Sequence, residues 1–542
     1  LEIGKTDRAI SVMDLKQFKT WADRQPRSSN AILAWADSRR WWLWGFVLVC
    51  YLAAFNGQWR MQPDAALYLS IGRNVAEGHG YTYLGRENTV AYPGWPTLIA
   101  LPFKLAGSHA LLAVNILITL IALLTVVMTY RLFLIHSGRP TAVVIAVGVA
   151  LTKAFFCYGF ELWSDMPFAL GVMAFLAGYE GAVEKPDRPI AVFRPKIRKI
   201  TDWSLLLCGL VASISIRPTG WPLLVAVVVA LVADAIRGRI RWTMLAILSG
   251  VVALLAGGFI LASSRSSHGI GDVYTRFVLS RFTSNSLSGL ASAVMVNTQS
   301  LLTWAASDVL FQVRLGPYFN ALLSIVVVVL GFGLFRYRLL WGLWFCLLLG
   351  TILISQETLD RYFLPVLPLL VFAWWKAIAR INRIGPIPWA NTVFLGLFGF
   401  GALMNLTKVC GIIAQQRERP FLIYYDKGTF AAIPEFASRL SETVPANAIV
   451  FGRAPYTHVI AFLSLRAVTS PFEDPLRRAG NRPIYIMEPV DEPGKTPMRA
   501  RLESAGLREG PALFIVKPRP GTQVPQPVLS LHGTIRIAKM PH

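Results

Sequence analysis

Charge is scarce in this chain. Asp, Glu, Lys and Arg supply 15% of 542 residues and apolar types 54%, against about 25% charged residues in an ordinary soluble domain. Acids are the rarer sign, 30 against 53 Lys and Arg. The five cysteines form no Cys-x-x-Cys pair and four of them lie inside apolar runs, so they read as small buried hydrophobes rather than a redox or zinc site. The seven histidines are scattered, with His79, His109 and His136 at no paired spacing. A Gly-x-Ser-x-Gly elbow, a P-loop and a His-Glu-x-x-His are all absent, which removes the signatures of the common soluble hydrolases and nucleotidases. There is also no continuous basic and aromatic tract of the kind that binds strands, so the net charge of +23 does not point to nucleic acid.

Long apolar runs are present instead, over 41–55, 110–130, 141–158, 166–179, 203–213, 221–232, 244–262, 322–335, 339–354, 363–375 and 389–406. With their flanks most approach the roughly 20 residues of a spanning helix. The expected fold class is therefore mainly α, a polytopic membrane protein of about 11 (9–13) transmembrane helices. The first run follows forty mostly polar residues and reads as a span rather than a cleaved leader. Residues 1–40 carry eight Lys and Arg and 183–202 carry six; Arg237, Arg239 and Arg241, then Arg336 with Arg338, then Lys376, Arg380 and Arg383 follow at alternate span ends. That spacing fits the positive-inside rule with residues 1–40 cytoplasmic.

This orientation puts loop 58–96, the turn 160–165, the Arg217 region, segment 263–317, the turn 355–361 and everything after about residue 407 outside. Asp64, Glu161, Asp165, Arg217, Glu357, Asp360 and Arg361 then share one membrane face, a gathering that bilayer insertion does not require. Pro63 suits a first helical turn, and Leu67, Ile71 and Val75 repeat at spacing four, so a surface helix is expected over 65–76, ended by Gly78-His-Gly80. Asp64 would sit at its positive end; a solvated loop carboxylate is the plainer reading. Asp165, with Ser164 before it and Pro167 after, reads as a helix cap, a site residue or both. Asp64 and Asp165 together are candidate oxygen ligands for a divalent cation, Mg or Mn. Arg217, in Arg217-Pro-Thr-Gly220, either snorkels to the interface or binds phosphate with its planar fork. Arg361 either pairs with Asp360 or Glu357, or faces a lipid phosphate with those acids and Tyr362 supporting it.

The motifs Asp64-Ala-Ala-Leu-Tyr68 with Gly78-His-Gly-Tyr81, Tyr92-Pro-Gly-Trp-Pro96, Glu161-Leu-Trp-Ser-Asp165, Arg217-Pro-Thr-Gly220 and Asp360-Arg-Tyr362 with Pro365 occur in order over residues 40–405. Together they resemble the multi-spanning glycosyltransferases that use polyprenyl-phosphate sugars, the protein O-mannosyltransferase and aminoarabinose transferase superfamily with the GT-C fold. Where many members carry Asp-Glu in the first outer loop, this chain has Asp64-Ala65. The resemblance implies that Asp64 is the catalytic base of an inverting transfer to an acceptor hydroxyl. Asp165 is a second catalytic candidate and keeps a retaining route open. Arg217 and Arg361, with Tyr68 and Tyr92, would hold the lipid donor's phosphate. Glycan, lipid and protein hydroxyls are all eligible acceptors, and membrane lipids are the remaining partners. The implied location is the bacterial cytoplasmic membrane, with the C-terminal part periplasmic. A transporter or flippase for a lipid-linked or envelope substrate is the alternative from another class; it would call for ionisable groups or broken helices near mid-membrane.

The catalytic domain is expected over 41–406, with outer loops 58–96 and 263–317. The latter carries the mildly apolar stretch 287–296 and reads equally as a surface helix, a cover over the site or a plain connector, with Tyr274, Arg276 and Arg281 available to lipid headgroups. Residues 407–542 change pattern: 434–440 is helix-like and 448–451, 483–487 and 512–516 are strand-like, which suggests a small outer α/β domain without a nucleotide fingerprint, serving acceptor recognition or capping.

Overall fold

The computed structural model describes residues 28–60, 62–83, 86–88, 91–183, 195–240, 287–305, 316–355, 360–384 and 388–418. Beyond these it describes 449–452, 457–465, 467–469, 484–489, 513–515 and 535–540, with scattered positions between. The helical part comprises α1 (Ser28–Ser38), α2 (Arg40–Ala54), α3 (Pro63–Ala76), α4 (Gly94–Ala106), α5 (Ala110–Ser137), α6 (Arg139–Ala150), α7 (Lys153–Tyr158), α8 (Asp165–Val183), α9 (Pro195–Ile216) and α10 (Gly220–Ile236). It continues with α11 (Leu287–Ser300), α12 (Pro317–Gly333), α13 (Leu339–Ile354), α14 (Leu367–Ile384) and α15 (Pro388–Glu418).

Among the described residues four stretches are long and apolar enough to cross a membrane, Gly94–Ser137, Asp165–Val183, Lys199–Ile216 and Pro317–Arg336, and five apolar helices are shorter. The fold is thus mainly α and polytopic, and the expected eleven spans are not reached among these residues. One reason is local: the expected span 141–158 is two helices. Thr152 is extended, its hydroxyl bonds to Val149 O, and the Lys153 N–H goes instead to Asn405 Oδ1 (3.0 Å). The run 244–262 lies outside the elements described. Leu112, Ile116, Leu120 and Leu124 repeat at spacing four on the exposed side of α5, an apolar stripe suited to lipid and not to water.

The closest packing joins α8 to α9. A Cβ on Gly209 would overlap the Phe175 backbone nitrogen, and one on Gly178 would come within 2.6 Å of Asp202 O. Small residues let the two backbones approach where side chains would hold them apart. The helices run antiparallel, so the start of α8, Asp165, and the end of α9, just before Arg217, lie at one end. Phe133 stacks on Phe372 (4.7 Å) at the other end, with Trp341 set edge-on to both and His136 against Trp341.

The expected surface helix is α3, and it is not a surface helix. Pro63 opens it as foreseen, and Gly78 and Gly80, both at positive φ, follow its end. Leu67 and Ile71 pack with Ala91, while Ala65, Ala66 and Leu69 on another face enter the main core. A two-stranded hairpin, β1 (Thr82–Tyr83) with β2 (Arg86–Glu87), adjoins it.

Helix α15 runs past residue 406 to Glu418, because Thr407, Lys408, Gln415 and Gln416 lower hydropathy without stopping a helix. Beyond it lies a five-stranded sheet in the order β4-β3-β5-β7-β6, formed by β3 (Ile449–Gly452), β4 (Ala467–Thr469), β5 (Ile484–Pro489), β6 (Leu513–Ile515) and β7 (Ile535–Met540). β3 pairs parallel with β4 and β5, and β7 antiparallel with β5 and β6. Between β3 and β4 the helix α16 (Thr457–Ser464) packs on α3: Phe462 meets Trp59 edge-on at 5.1 Å and lies under Arg73 at 4.9 Å.

Candidate active site

The N-termini of α3 and α8, the Arg217 turn before α10, and a 3-10 turn at Asp360–Phe363 converge at one end of the bundle. Three helix starts with their free N–H groups favour negative charge there. Asp165, the first residue of α8, forms an ion pair with Arg217 Nη1. Arg361 Nη2 lies 3.7 Å from Asp64 Oδ2, longer than the about 2.7–2.9 Å of a charge-assisted hydrogen bond. Asp64 is 45% exposed, whereas Asp165 is buried. Of the two carboxylates only Asp64 is open to a reactant.

Arg361 is held from below. Its guanidinium carbon stands 3.7 Å over the ring of Trp163 and 5.6 Å from that of Tyr362, which Arg217 also faces at 5.3 Å. Trp163 is fixed by its own N–H, which donates to Glu161 Oε2 (2.8 Å), while Glu161 Oε1 receives Arg60 Nη1 (2.8 Å). Trp95 donates to Leu162 O (3.1 Å) and so anchors the same turn. Glu161 therefore supports the site through Trp163, not by facing it. Asp360 Oδ1 receives Tyr158 OH and the Arg361 N–H, both at 2.8 Å, which sets the 3-10 turn.

Arg361 Nε and Nη1 are buried and, among the described residues, have no hydrogen-bond partner. Burial acts against the charge on Arg361, but the carboxylates of Asp165 and Asp64 outweigh it and the guanidinium's pKa is raised. A stacked, permanently charged fork with two unused N–H groups is an anion receptor. Both amide atoms of Gln62 and the Trp59 indole N–H, on the segment leading into α3, are likewise buried without partners.

The remaining candidates divide. Tyr68 OH lies 3.3 Å from Ser164 Oγ and its charge interaction reaches Arg217. Tyr92 is buried and hydrogen-bonded to Trp221, so it shapes the wall at the start of α10. Glu357, Tyr274, Arg276 and Arg281 fall outside the described residues. Sequence reasoning missed Trp163, Gln62, Tyr83 and His458. Tyr83 OH and His458 Nδ1 are 2.6 Å apart, a contact that no local pattern announces.

As a cation site the two acids fit poorly. Asp165 is already neutralised by Arg217, Asp64 faces Arg361, and among the described residues no three His, Cys, Asp or Glu come together.

No protein-family model matches the chain, and no curated protein matches it. Solved structures do. ArnT from Cupriavidus metallidurans bound to undecaprenyl phosphate is similar over 92% of this chain and 98% of its own, at 13% identity and a TM-score of 0.54. The apo state of the same protein covers 93% and 98% at 13% identity, with a TM-score of 0.52. The apo oligosaccharyltransferase from Archaeoglobus fulgidus covers 84% of this chain and 70% of its own at 12% identity, with a TM-score of 0.51. At such identities the likeness is one of fold: this chain has a GT-C-like, membrane-associated helical architecture.

Proposed function

We propose that this chain is an inverting glycosyltransferase that moves a sugar from a polyprenyl-phosphate donor to an acceptor hydroxyl, with Asp64 as general base. The observation that carries the reading is Arg361, whose guanidinium meets Asp64 with one nitrogen and leaves Nε and Nη1 buried and unused above Trp163. A phosphate oxygen at those groups would put a leaving group and a base around one guanidinium. The GT-C-like fold agrees, and a structure of similar fold holds undecaprenyl phosphate.

In the reaction the acceptor oxygen attacks the anomeric carbon as the bond from that carbon to the phosphate oxygen breaks. Asp64 takes the hydroxyl proton. The negative charge that collects on the departing lipid phosphate is met by the Arg361 N–H groups, with Arg217 behind them. One displacement inverts the anomeric carbon. A retaining route needs a second free carboxylate, and Asp165 is committed to Arg217. Arg361 offers phosphate Nε and Nη1 while only Nη2 faces Asp64, at 3.7 Å, so the base stays loosely held and able to accept a proton with the donor bound. The outward side of the bacterial cytoplasmic membrane is the proposed setting, with residues 1–40 on the opposite face. Transport is the competing class. Against it, the charged clusters described here sit at helix ends, with α8 carrying Asp165 at its start and Glu180 near its far end.

The test is transfer from undecaprenyl-phosphate monosaccharides by the purified protein in lipid nanodiscs. Asp64→Asn is expected to lower it by about 10²–10⁴-fold, the range for loss of a positioned base, with undecaprenyl phosphate still bound. Full transfer by that variant would sink the assignment.

A further inference from the structure

The acid that faces outward at the site, Asp64, does not stand at a bare membrane surface. Helix α16 of the C-terminal part lies against α3, and its His458 meets the hairpin that follows α3, where its imidazole feels the charge of Asp64. The imidazole is largely buried at this seam, and it spends Nδ1 on the hydroxyl of Tyr83 in the hairpin after α3, at 2.6 Å with the rings 5.5 Å apart. Among the described residues Nε2 has no hydrogen-bond partner. The same seam holds Trp59, in contact with Phe462, and three residues on from it Gln62; the indole N–H of the first and both amide atoms of the second are buried and unpartnered. Such groups are costly to leave unmade. All of them are neutral, and Gln62 offers a donor and an acceptor together.

We propose that the seam between α16 and α3 receives the acceptor, that the acceptor is a neutral glycan presenting a free hydroxyl, and that His458 Nε2 orients it toward Asp64. Unpaired neutral donors and acceptors suit the hydroxyls of a sugar, where the charged Arg361 and Arg217 suit a phosphate; Trp59 and Phe462, buried and packed edge-on, hold the seam together beside them. The two substrates thus approach Asp64 from different walls: the donor phosphate from the Arg361 side, the acceptor from the C-terminal part. Burial lowers the His458 pKa, partly opposed by the charge of Asp64, so the imidazole is neutral at pH 7 and positions the hydroxyl without competing for its proton. His458 is on this reading a positioning residue, and the inference rests on the transfer reaction proposed above.

The experiment uses the full chain in nanodiscs, with octyl glycosides as acceptor probes, undecaprenyl-phosphate monosaccharides as donors, and undecaprenyl phosphate binding as the donor-side control. His458→Ala is expected to raise the acceptor KM about tenfold, the worth of one ligand hydrogen bond, with kcat within about twofold and undecaprenyl phosphate affinity unchanged. His458→Gln places an amide near Nε2 and restores the acceptor KM. His458→Asn places one near Nδ1, keeps the Tyr83 contact and does not restore it. The reverse pattern, rescue by Asn and not by Gln, would show a pin that only holds α16 to the hairpin, and would overturn the proposal. So would an acceptor KM that no His458 variant moves. Asp64→Asn, measured alongside, separates the two readings: a dead Asp64 variant with silent His458 variants removes the acceptor seam alone, and an active Asp64 variant removes the base.

Discussion

Helix α8 ends in ion pairs on both sides, and the two sets are built differently. At the far end Glu180 is buried and takes Arg338 Nη2 at 2.7 Å and Nε at 2.8 Å, Asp202 takes Arg131 at 2.5 Å, and Asp234 takes Tyr179 OH at 2.6 Å and Arg239 at 3.1 Å. Each acid is closed on a cation or a hydroxyl at hydrogen-bonding distance. At the near end Asp165 and Arg217 are closed in the same way, but Asp64 and Arg361 stand 3.7 Å apart, Asp64 half exposed and Arg361 with two idle N–H groups. At the far end the carboxylates are buried and each meets its cation or hydroxyl, although Arg131 Nε has no hydrogen-bond partner among the described residues and Arg239 is 46% exposed. Charges left under-used, beside a stacked aromatic and three helix starts, are kept for something that arrives.

The sharpest way to break this contrast is to mutate both ends and read activity and stability separately. Asp64→Asn has the largest expected effect, a loss of transfer of about 10²–10⁴-fold with the thermal midpoint hardly moved, since a half-exposed, loosely paired acid contributes little. Arg361→Ala follows, with a loss of about 10²–10³-fold, the usual cost of removing one donor to a developing negative charge, and weakened undecaprenyl phosphate binding. Glu180→Ala inverts the pattern: Arg338 is left unpaired beside a buried vacancy, stability falls by about 3 kcal/mol, and transfer per folded molecule is retained. Should Glu180→Ala abolish transfer in well-folded protein, the distinction between the two ends fails.

Gly209→Ala touches both ends through the α8–α9 seam. The added methyl overlaps backbone, so about 1–3 kcal/mol of stability is lost, and donor affinity drops as Asp165 and Arg217 slip out of register. The smallest effect is one of pH on the docking of α16. His458 has a lowered pKa in place, so detached α16 binds the proton more readily and acid favours detachment. The stability of the docked form is complete above the ordinary imidazole value of about 6.5 and falls as pH drops below it. Hydrogen exchange across 457–464 between pH 8 and pH 5 reads this, and His458→Gln should flatten it; the groups facing the imidazole are Tyr83 and Asp64.

Much of this architecture was legible because it depends on near neighbours in the chain. Pro63 with a spacing of four marked α3, and Ser164-Asp165 with Pro167 marked the start of α8. The break between α6 and α7 was not legible, since its cause, Asn405, lies 252 residues away. The same holds for Trp163, ordinary in sequence until Glu161 turns it and Arg361 lands on it. Strand β7 was missed for another reason: Arg536 and Lys539 interrupt its apolar residues, yet it pairs on both sides inside the sheet. The buried acids at the far end, Glu180, Asp202 and Asp234, left a trace that went unused, an isolated acid near the end of an apolar run with a cation on a neighbouring one.

The contact between Tyr83 and His458 spans 375 residues, and that interval is also an interval of time. During synthesis the loop bearing Asp64 is made early and waits, its rim unfinished, while the bundle is threaded and the sheet beyond α15 is started. Only when α16 has emerged on the same side does the wall beside Asp64 close. If the seam receives the acceptor as proposed, a half-made copy carries Asp64 without its acceptor wall, and competence comes one completed molecule at a time.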